Sequence, residues 1–279
     1  MLGAIIGDMV GSRFEFNDNK PEKFGVYNIN NRMTDDSILT IATASVLMNY
    51  YPFDFSESEK EKIQNDLKNK FSDMVKRFPG AGFGMSFFQW ARIPNEEKKP
   101  YNSCGNGSAM RISPVGWLAN SLDEAKYLSR IVTEITHNHP EGLKGAECIA
   151  TCVFMARQGA SKDDIKKYVT ENYYPELPEL DFDDLVENYE FNALCQGSVP
   201  EAVYCFLISE SLEDAVVKAV QIGGDSDTIA CMAGAIAEAY YNKDNISEIE
   251  RKYLDFFIYP QTEKLIISFH KKIGSKKFG

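Results

Sequence analysis

The sequence predicts an all-α protein, one compact orthogonal multi-helix domain spanning residues 1–279. Three observations lead there. Apolar residues recur at spacings of three and four over 36–50, 58–78, 122–136, 141–158, 161–172, 199–209, 211–221 and 227–242. Helix-start patterns precede several of these stretches. No segment alternates apolar and polar residues beyond short fragments, which leaves little from which to build a sheet.

In chain order, the first element is Gly3 to Glu15, read as a helix whose glycines at 3, 7 and 11 share one face and permit close approach to a neighbour. A glycine zipper of a membrane span would look similar, but Asp8, Arg13 and Glu15 exclude one. Asp8, Ser12 and Glu15 share another face, assigned to solvent or to a site. Helices 36–50 and 58–78 follow, then punctuation at Phe78-Pro-Gly80, Pro94 and Pro100. Ser121-Leu-Asp-Glu124, Ser161-Lys-Asp-Asp164 and Ser211-Leu-Glu-Asp214 resemble capping boxes at the starts of later helices. Gln196-Gly-Ser-Val-Pro-Glu201 reads as a structural helix start with Pro in the first turn. From Arg251 onward, aromatics give way to Lys271-Lys272 and Lys276-Lys277, which suit a helix C-terminus or solubility. The prolines separate helices rather than domains, and no linker or internal repeat is visible.

Composition narrows the function. With 44% hydrophobic and 25% charged residues the chain can bury a sizeable core. A net charge of −11 repels a phosphate backbone, so no nucleic-acid groove is expected. The N-terminus lacks a basic signal region, and no apolar run is long enough to span a bilayer, so a cytoplasmic protein is expected. Cys104, Cys148, Cys152, Cys195, Cys205 and Cys231 lie in apolar contexts and read as reduced core residues. Cys148 and Cys152 have no nearby histidine, which speaks against zinc.

The chemistry concentrates in two clusters. Thr34-Asp-Asp-Ser37 and Gly223-Gly-Asp-Ser-Asp-Thr228 each open a helix of small apolar residues. N-capping by Asp or Thr explains either cluster alone. Two features go beyond it. A helix has one N-cap residue, and adjacent carboxylates at a buried helix mouth repel each other unless cations join them. Carboxylate and hydroxyl oxygens suit Mg²⁺, Mn²⁺ or Ca²⁺, whereas zinc favours His and Cys. If the two helix starts converge, they can hold a metal pair roughly 3.5–4 Å apart.

Two further segments are weaker signals. Ser103-Cys-Gly-Asn-Gly-Ser-Ala-Met-Arg111 is a small-residue loop, read by itself as a tight turn before a phosphate cradle. It lacks the Gly-Lys-Ser/Thr of a P-loop and follows no strand. Thr136-His-Asn-His-Pro140 has no adjacent acid, so its histidines are assigned to hydrogen bonding rather than metal ligation.

Taken together, Gly3-Ala-Ile-Ile-Gly-Asp-Met-Val-Gly-Ser-Arg-Phe-Glu15, Thr34-Asp-Asp-Ser37, Gly105-Asn-Gly-Ser-Ala-Met-Arg111, Thr136-His137 and Gly223-Gly-Asp-Ser-Asp-Thr228 resemble the ADP-ribosylglycohydrolase family, in family order. The resemblance implies an all-α fold and two divalent cations, Mg²⁺ or Mn²⁺. It places the metal ligands on Thr34, Asp35, Asp36, Asp225, Asp227 and Thr228. It assigns Ser103, Gly105, Asn106, Gly107, Ser108, Met110 and His137 to ADP-ribose, and makes Glu15 a gating or catalytic acid. The implied reaction releases ADP-ribose from an ADP-ribosylated protein or small-molecule conjugate. An arginine N-glycosidic linkage is the leading expectation, with serine-linked or small-molecule conjugates as alternatives. Glu15 or Asp36 would be the general base. A two-metal nucleotide-diphosphate phosphoesterase and a non-catalytic ADP-ribose reader are the competing readings. The loops Phe83 to Lys99 and Tyr173 to Glu190 match no branch, which leaves the acceptor open.

Overall fold

In the computed structural model, which describes residues 1–15 and 20–275, the chain folds into α-helices without a β-strand among the described residues. They are α1 (Leu2–Gly11), α2 (Asp35–Leu47), α3 (Glu57–Arg77), α4 (Met85–Arg92), α5 (Ser113–Leu118), α6 (Leu122–Thr133), α7 (Pro140–Gln158), α8 (Lys162–Asn172), α9 (Phe182–Asn188), α10 (Val199–Leu207), α11 (Leu212–Gln221), α12 (Ser226–Tyr241), α13 (Glu248–Phe256) and α14 (Pro260–Lys272). The all-α expectation holds. So do the eight periodic stretches, with ends shifted by up to three residues, as frayed helix termini allow.

The centre of the fold is α12. Every residue from Ser226 to Ala239 is buried, because its side chains are small or apolar on all sides. Against it runs α1, antiparallel and buried along its whole length. The glycine face does what its spacing suggested. A Cβ on Gly3 would lie 2.2 Å from the Gly234 carbonyl oxygen, on Gly7 2.0 Å from that of Ala230, and on Gly11 2.5 Å from the Asp227 Cα. The two backbones touch, and only hydrogen fits between them. Glu238 on α12 meets the start of α1, accepting from the Met1 ammonium at 2.6 Å and the Gly3 amide at 2.8 Å. Its other oxygen lies 3.5 Å from His270 Nε2, tying α14 to the pair. Helices α7, α10 and α11 pack around α12, and α2 lies across α1.

The helices not foreseen are α4, α5, α9, α13 and α14. The first three run only six to eight residues, too short for a period of 3.6 to declare itself, and α5 also contains Pro114 and Gly116. The start of α13 was legible: Ser247 and Glu250 form a reciprocal capping box. Of the three boxes expected, Ser161 with Asp164 closes both ways. Glu124 and Asp214 instead accept from the amides of Asn120 and Glu210, one residue before their N-caps. Lys271 and Lys272 do sit in the last turn of α14, while Lys276-Lys277 lie outside the described residues. All six cysteines are free thiols, five of them buried. No helix among the described residues is long and apolar enough to cross a membrane.

Candidate active site

Asp8, on the face of α1 turned toward α2, is fully buried beneath the cleft and organises the start of α2. Its Oδ2 accepts from the Thr34 amide at 2.9 Å and the Ser37 amide at 3.0 Å, and its Oδ1 from the Thr34 hydroxyl at 2.6 Å. The Ser37 hydroxyl adds a further short bond. Asp8 therefore caps α2 from another helix, and Thr34, at the N-cap position, makes no side-chain cap of its own. Burial pushes the Asp8 carboxyl up to about 6, against the opposing pull of these hydrogen bonds.

With capping done elsewhere, the carboxylates of the first cluster are left for another purpose. Asp36 is buried, and its Oδ2 is approached at 3.3 Å by the hydroxyls of both Thr34 and Thr228. Its Oδ1 is buried with no hydrogen-bond partner. Thr34 to Asp36 and Asp225 to Thr228, almost two hundred residues apart, thus meet in space.

The second cluster arrives through Gly223 and Gly224, both left-handed at φ 77° and 68°, a turn that a side-chain-bearing residue would strain. Asp225 follows at the N-cap position of α12, again without capping it. Its Oδ2 accepts from Asn106 Nδ2 at 2.7 Å, which fixes the glycine loop to the acidic floor. Asp227 accepts from the Thr228 amide at 2.9 Å. Carboxylate oxygens of Asp8, Asp36 and Asp227 come within 4.8 Å of one another, and so do those of Glu15, Asp225 and Asp227. Asp227 belongs to both groups. Asp35 belongs to neither and lies beside Gly82 in the same cleft.

Burial raises all of these acids, and the neighbours reinforce it. Asp35 and Asp36 are driven well above the carboxylate range by burial and then by the Asp8 charge; Asp227 by burial and then by Asp36; Glu15 is raised by burial and then by Asp225. Asp225 is raised by burial and restrained by its bond from Asn106. Hard oxygen donors around a buried oxygen without a partner fit divalent cations, which would remove both the desolvation and the repulsion.

These groups floor a cleft of about 340 Å³. Ser103, Gly105, Asn106, Gly107, Met110 and His137 line it, as do Glu15, Asp35, Asp36, Asp225, Asp227 and Thr228. Ser108 does not: its hydroxyl donates to the Gly142 carbonyl at 2.8 Å and helps hold the loop down. Thr34 also lies behind the surface, its hydroxyl turned to Asp8. The glycine loop is pinned by pairing with the segment before α10, the Asn106 amide donating to Ala193 O at 2.9 Å and the Cys195 amide to Cys104 O at 3.0 Å.

Sequence reasoning missed several cleft residues: Tyr101, Arg111, Phe191 and Ala193, and Gly82 with Gly84 to Phe87. The loop Phe83 to Lys99 does border the cleft, through Gly84, Met85, Ser86 and Phe87. The loop Tyr173 to Glu190 supplies no lining residue; Phe191 and Ala193 just beyond it do. The helix expected to carry Asp8, Ser12 and Glu15 on one face ends at Gly11, with Ser12 to Glu15 in turns, so that face does not extend to Glu15. The bonds of Asp8 to Thr34 and Ser37 join elements that only the fold brings together. His137 stays with hydrogen bonding, and His139 caps α7 by accepting from the Glu141 amide at 3.1 Å.

Comparison with known proteins places the chain in a family. The chain is similar to ADP-ribosylhydrolase ARH3 of Mus musculus, 25% identical over 97% of this chain and 90% of that protein, and of Homo sapiens, 25% identical over 97% and 92%. A putative ADP-ribosyl glycohydrolase of Acanthamoeba polyphaga mimivirus is 26% identical over 87% of this chain and 86% of its own. A solved structure described as an ADP-ribosylglycohydrolase-related protein complex shares the fold, with a TM-score of 0.68 at 21% identity over 98% of this chain and 97% of that one. The family profile for ADP-ribosylglycohydrolase matches residues 1–276, and the chain belongs to that family of glycosidic-bond hydrolases.

Proposed function

We propose that the cleft binds the ADP-ribosyl group of a modified acceptor and hydrolyses the bond at its anomeric carbon, with two divalent cations, Mg²⁺ or Mn²⁺, held by Thr34, Asp35, Asp36, Asp225, Asp227 and Thr228. The observation that carries the reading is the Asp36 carboxylate, buried with one oxygen lacking a partner and within 4.8 Å of carboxylate oxygens of Asp8 and Asp227. A divalent pair held by these residues would supply Lewis acidity at the ribose. The chain's own groups do the rest. Ser103, Gly105, Asn106, Gly107 and Met110 of the loop line the cleft and would border the pyrophosphate, while Asn106 holds Asp225 in place. Glu15 lines the cleft, is only half buried, and has its pKa raised by burial and then by the Asp225 charge. That environment suits a general base taking a proton from water as the oxocarbenium-like centre forms. Asp36, lying deeper, serves as a ligand in this scheme. Met85, Phe87 and Phe191 supply the apolar part of the cleft lining.

As acceptor, arginine is taken first and serine second. The test is incubation with magnesium and arginine-, serine- and nucleobase-linked ADP-ribose conjugates, followed by product analysis. Free ADP-ribose from one conjugate, lost in Asp225→Asn together with magnesium binding, supports the proposal. Full turnover by Asp225→Asn contradicts the metal scheme. AMP plus ribose phosphate identifies a phosphoesterase instead, and tight ADP-ribose binding with no turnover identifies a reader.

A further inference from the structure

In the wall of the cleft sits a buried cation that the catalytic scheme does not use. The Arg111 side chain is fully buried, its guanidinium 4.8 Å from the Phe71 ring centroid and 5.5 Å from that of Phe87. Nη2 donates to Thr136 Oγ1 at 2.7 Å, while Nε and Nη1 have no hydrogen-bond partner. An arginine in this setting does not serve surface charge.

Its one bond determines the next. A guanidinium only donates, so Thr136 Oγ1 accepts from it and keeps a single proton to give. Two acceptors are in range: the Thr133 carbonyl at 3.4 Å and His137 Nδ1 at 2.8 Å. The shorter contact is the better bond, and the adjacent cation polarises the hydroxyl toward donation. An Nδ1–H aimed at that same oxygen would turn its positive end toward Arg111. With Nδ1 accepting, the ring proton of neutral His137 sits on Nε2. That nitrogen faces the glycine loop, 3.5 Å from where a Cβ on Gly107 would stand and 3.8 Å from that on Gly105. Burial first, and the Arg111 charge second, hold the His137 pKa well below its ordinary value, so the ring stays neutral.

We propose that Arg111 is a positioning residue: through Thr136 it fixes His137 as the Nε2–H tautomer, giving the cleft a permanent hydrogen-bond donor for an oxygen of the ligand's phosphate or ribose. The donor's target rests on the ADP-ribose reading above; the tautomer does not.

The test reads the two separately. Imidazole nitrogen shifts of isotope-labelled protein, assigned among His137, His139 and His270 by the signal missing in His137→Gln, report the tautomer directly. The expected result is a neutral Nε2–H ring at His137 that does not titrate from about pH 5 to 8. In Thr136→Val the Nδ1–H form should appear and ADP-ribose affinity should fall about tenfold, the worth of one such bond. Thr136→Ser, which restores the hydroxyl, should return both readouts. An Nδ1–H or doubly protonated ring in the unmodified protein overturns the relay, whether or not the valine variant folds. So does an unchanged tautomer in Thr136→Val. Absence of ADP-ribose binding with the Nε2–H signature present supports the relay and removes the ligand reading instead.

Discussion

Replacing Gly7 with Ala tests how tightly the site depends on one helix crossing. The new methyl carbon would stand 2.0 Å from the Ala230 carbonyl oxygen, 2.3 Å from its carbon and 2.7 Å from the Cys231 amide nitrogen. All three are backbone atoms in the middle of α12, so no side chain can rotate away. Ordinary contact begins near 3.4 Å, so α1 and α12 must part by roughly 1.4 Å along that line. Overpacking of this kind costs about 3 kcal/mol, or roughly 6–12 °C of Tm for a chain of this size. The same displacement separates Asp8 and Glu15, carried by α1 and the turn after it, from Asp225 and Asp227 at the mouth of α12. A misplacement of about 1 Å at reacting groups lowers the rate on the order of a hundredfold. Thermal unfolding and release of ADP-ribose from the conjugate identified by the panel measure the two effects. Gly80→Ala, whose Cβ would meet nothing within 4 Å, is the matched control and should change neither. A Gly7→Ala protein melting with the control and turning over at its rate would refute the account of the crossing.

Two other expectations follow from the buried acids. A saturating divalent cation, at about a hundred times its dissociation constant, should stabilise the protein by about 2.7 kcal/mol. The gain should be read as a Tm difference against chelator, and should disappear in Asp36→Asn. It should also be larger at pH 8 than at pH 5, because Asp8, raised from 3.8 to about 6, keeps its proton in the folded apo chain after the unfolded chain has lost it. Apo stability therefore falls as pH rises across that window, and cation binding restores it; a pH-independent gain would contradict the sign. Away from the cleft, Glu201 on α10 is buried with Oε2 lacking a partner, and burial raises its pKa from 4.5 to about 7. The same linkage makes it a liability above pH 7 and nearly neutral below pH 4.5. Glu201→Gln should gain on the order of 2 kcal/mol over the unmodified protein at pH 8 and little at pH 4.5 in denaturant melts, whereas an equal gain at both would dismiss the titration.

How much of this was written in the chain differs from element to element. The long helices, and the glycine face of α1, were legible because a periodic pattern is a local property: side chains at i, i+4 and i+7 face one way whatever lies opposite. The two acidic clusters were legible for the same reason, as too many oxygens at a helix mouth. What faced the glycines was not, since Gly234, Ala230 and Asp227 look like any small-residue stretch until α12 is laid against α1. The capping of α2 by Asp8 shows the limit most clearly. Local rules assign the cap to Thr34, yet the fold moves it to a carboxylate 26 residues upstream, and one oxygen of Asp36 is left without a partner. The turn of Ser108 away from the cleft, and the chain of bonds from Arg111 through Thr136 to His137, arise likewise from distances between segments. The sequence by itself determined which residue types could do the chemistry and which helices carry them. Only tertiary packing decided which carboxylates meet, which hydroxyls are already engaged and which polar atoms are left without a partner, because burial and hydrogen bonding are set by neighbours in space rather than along the chain.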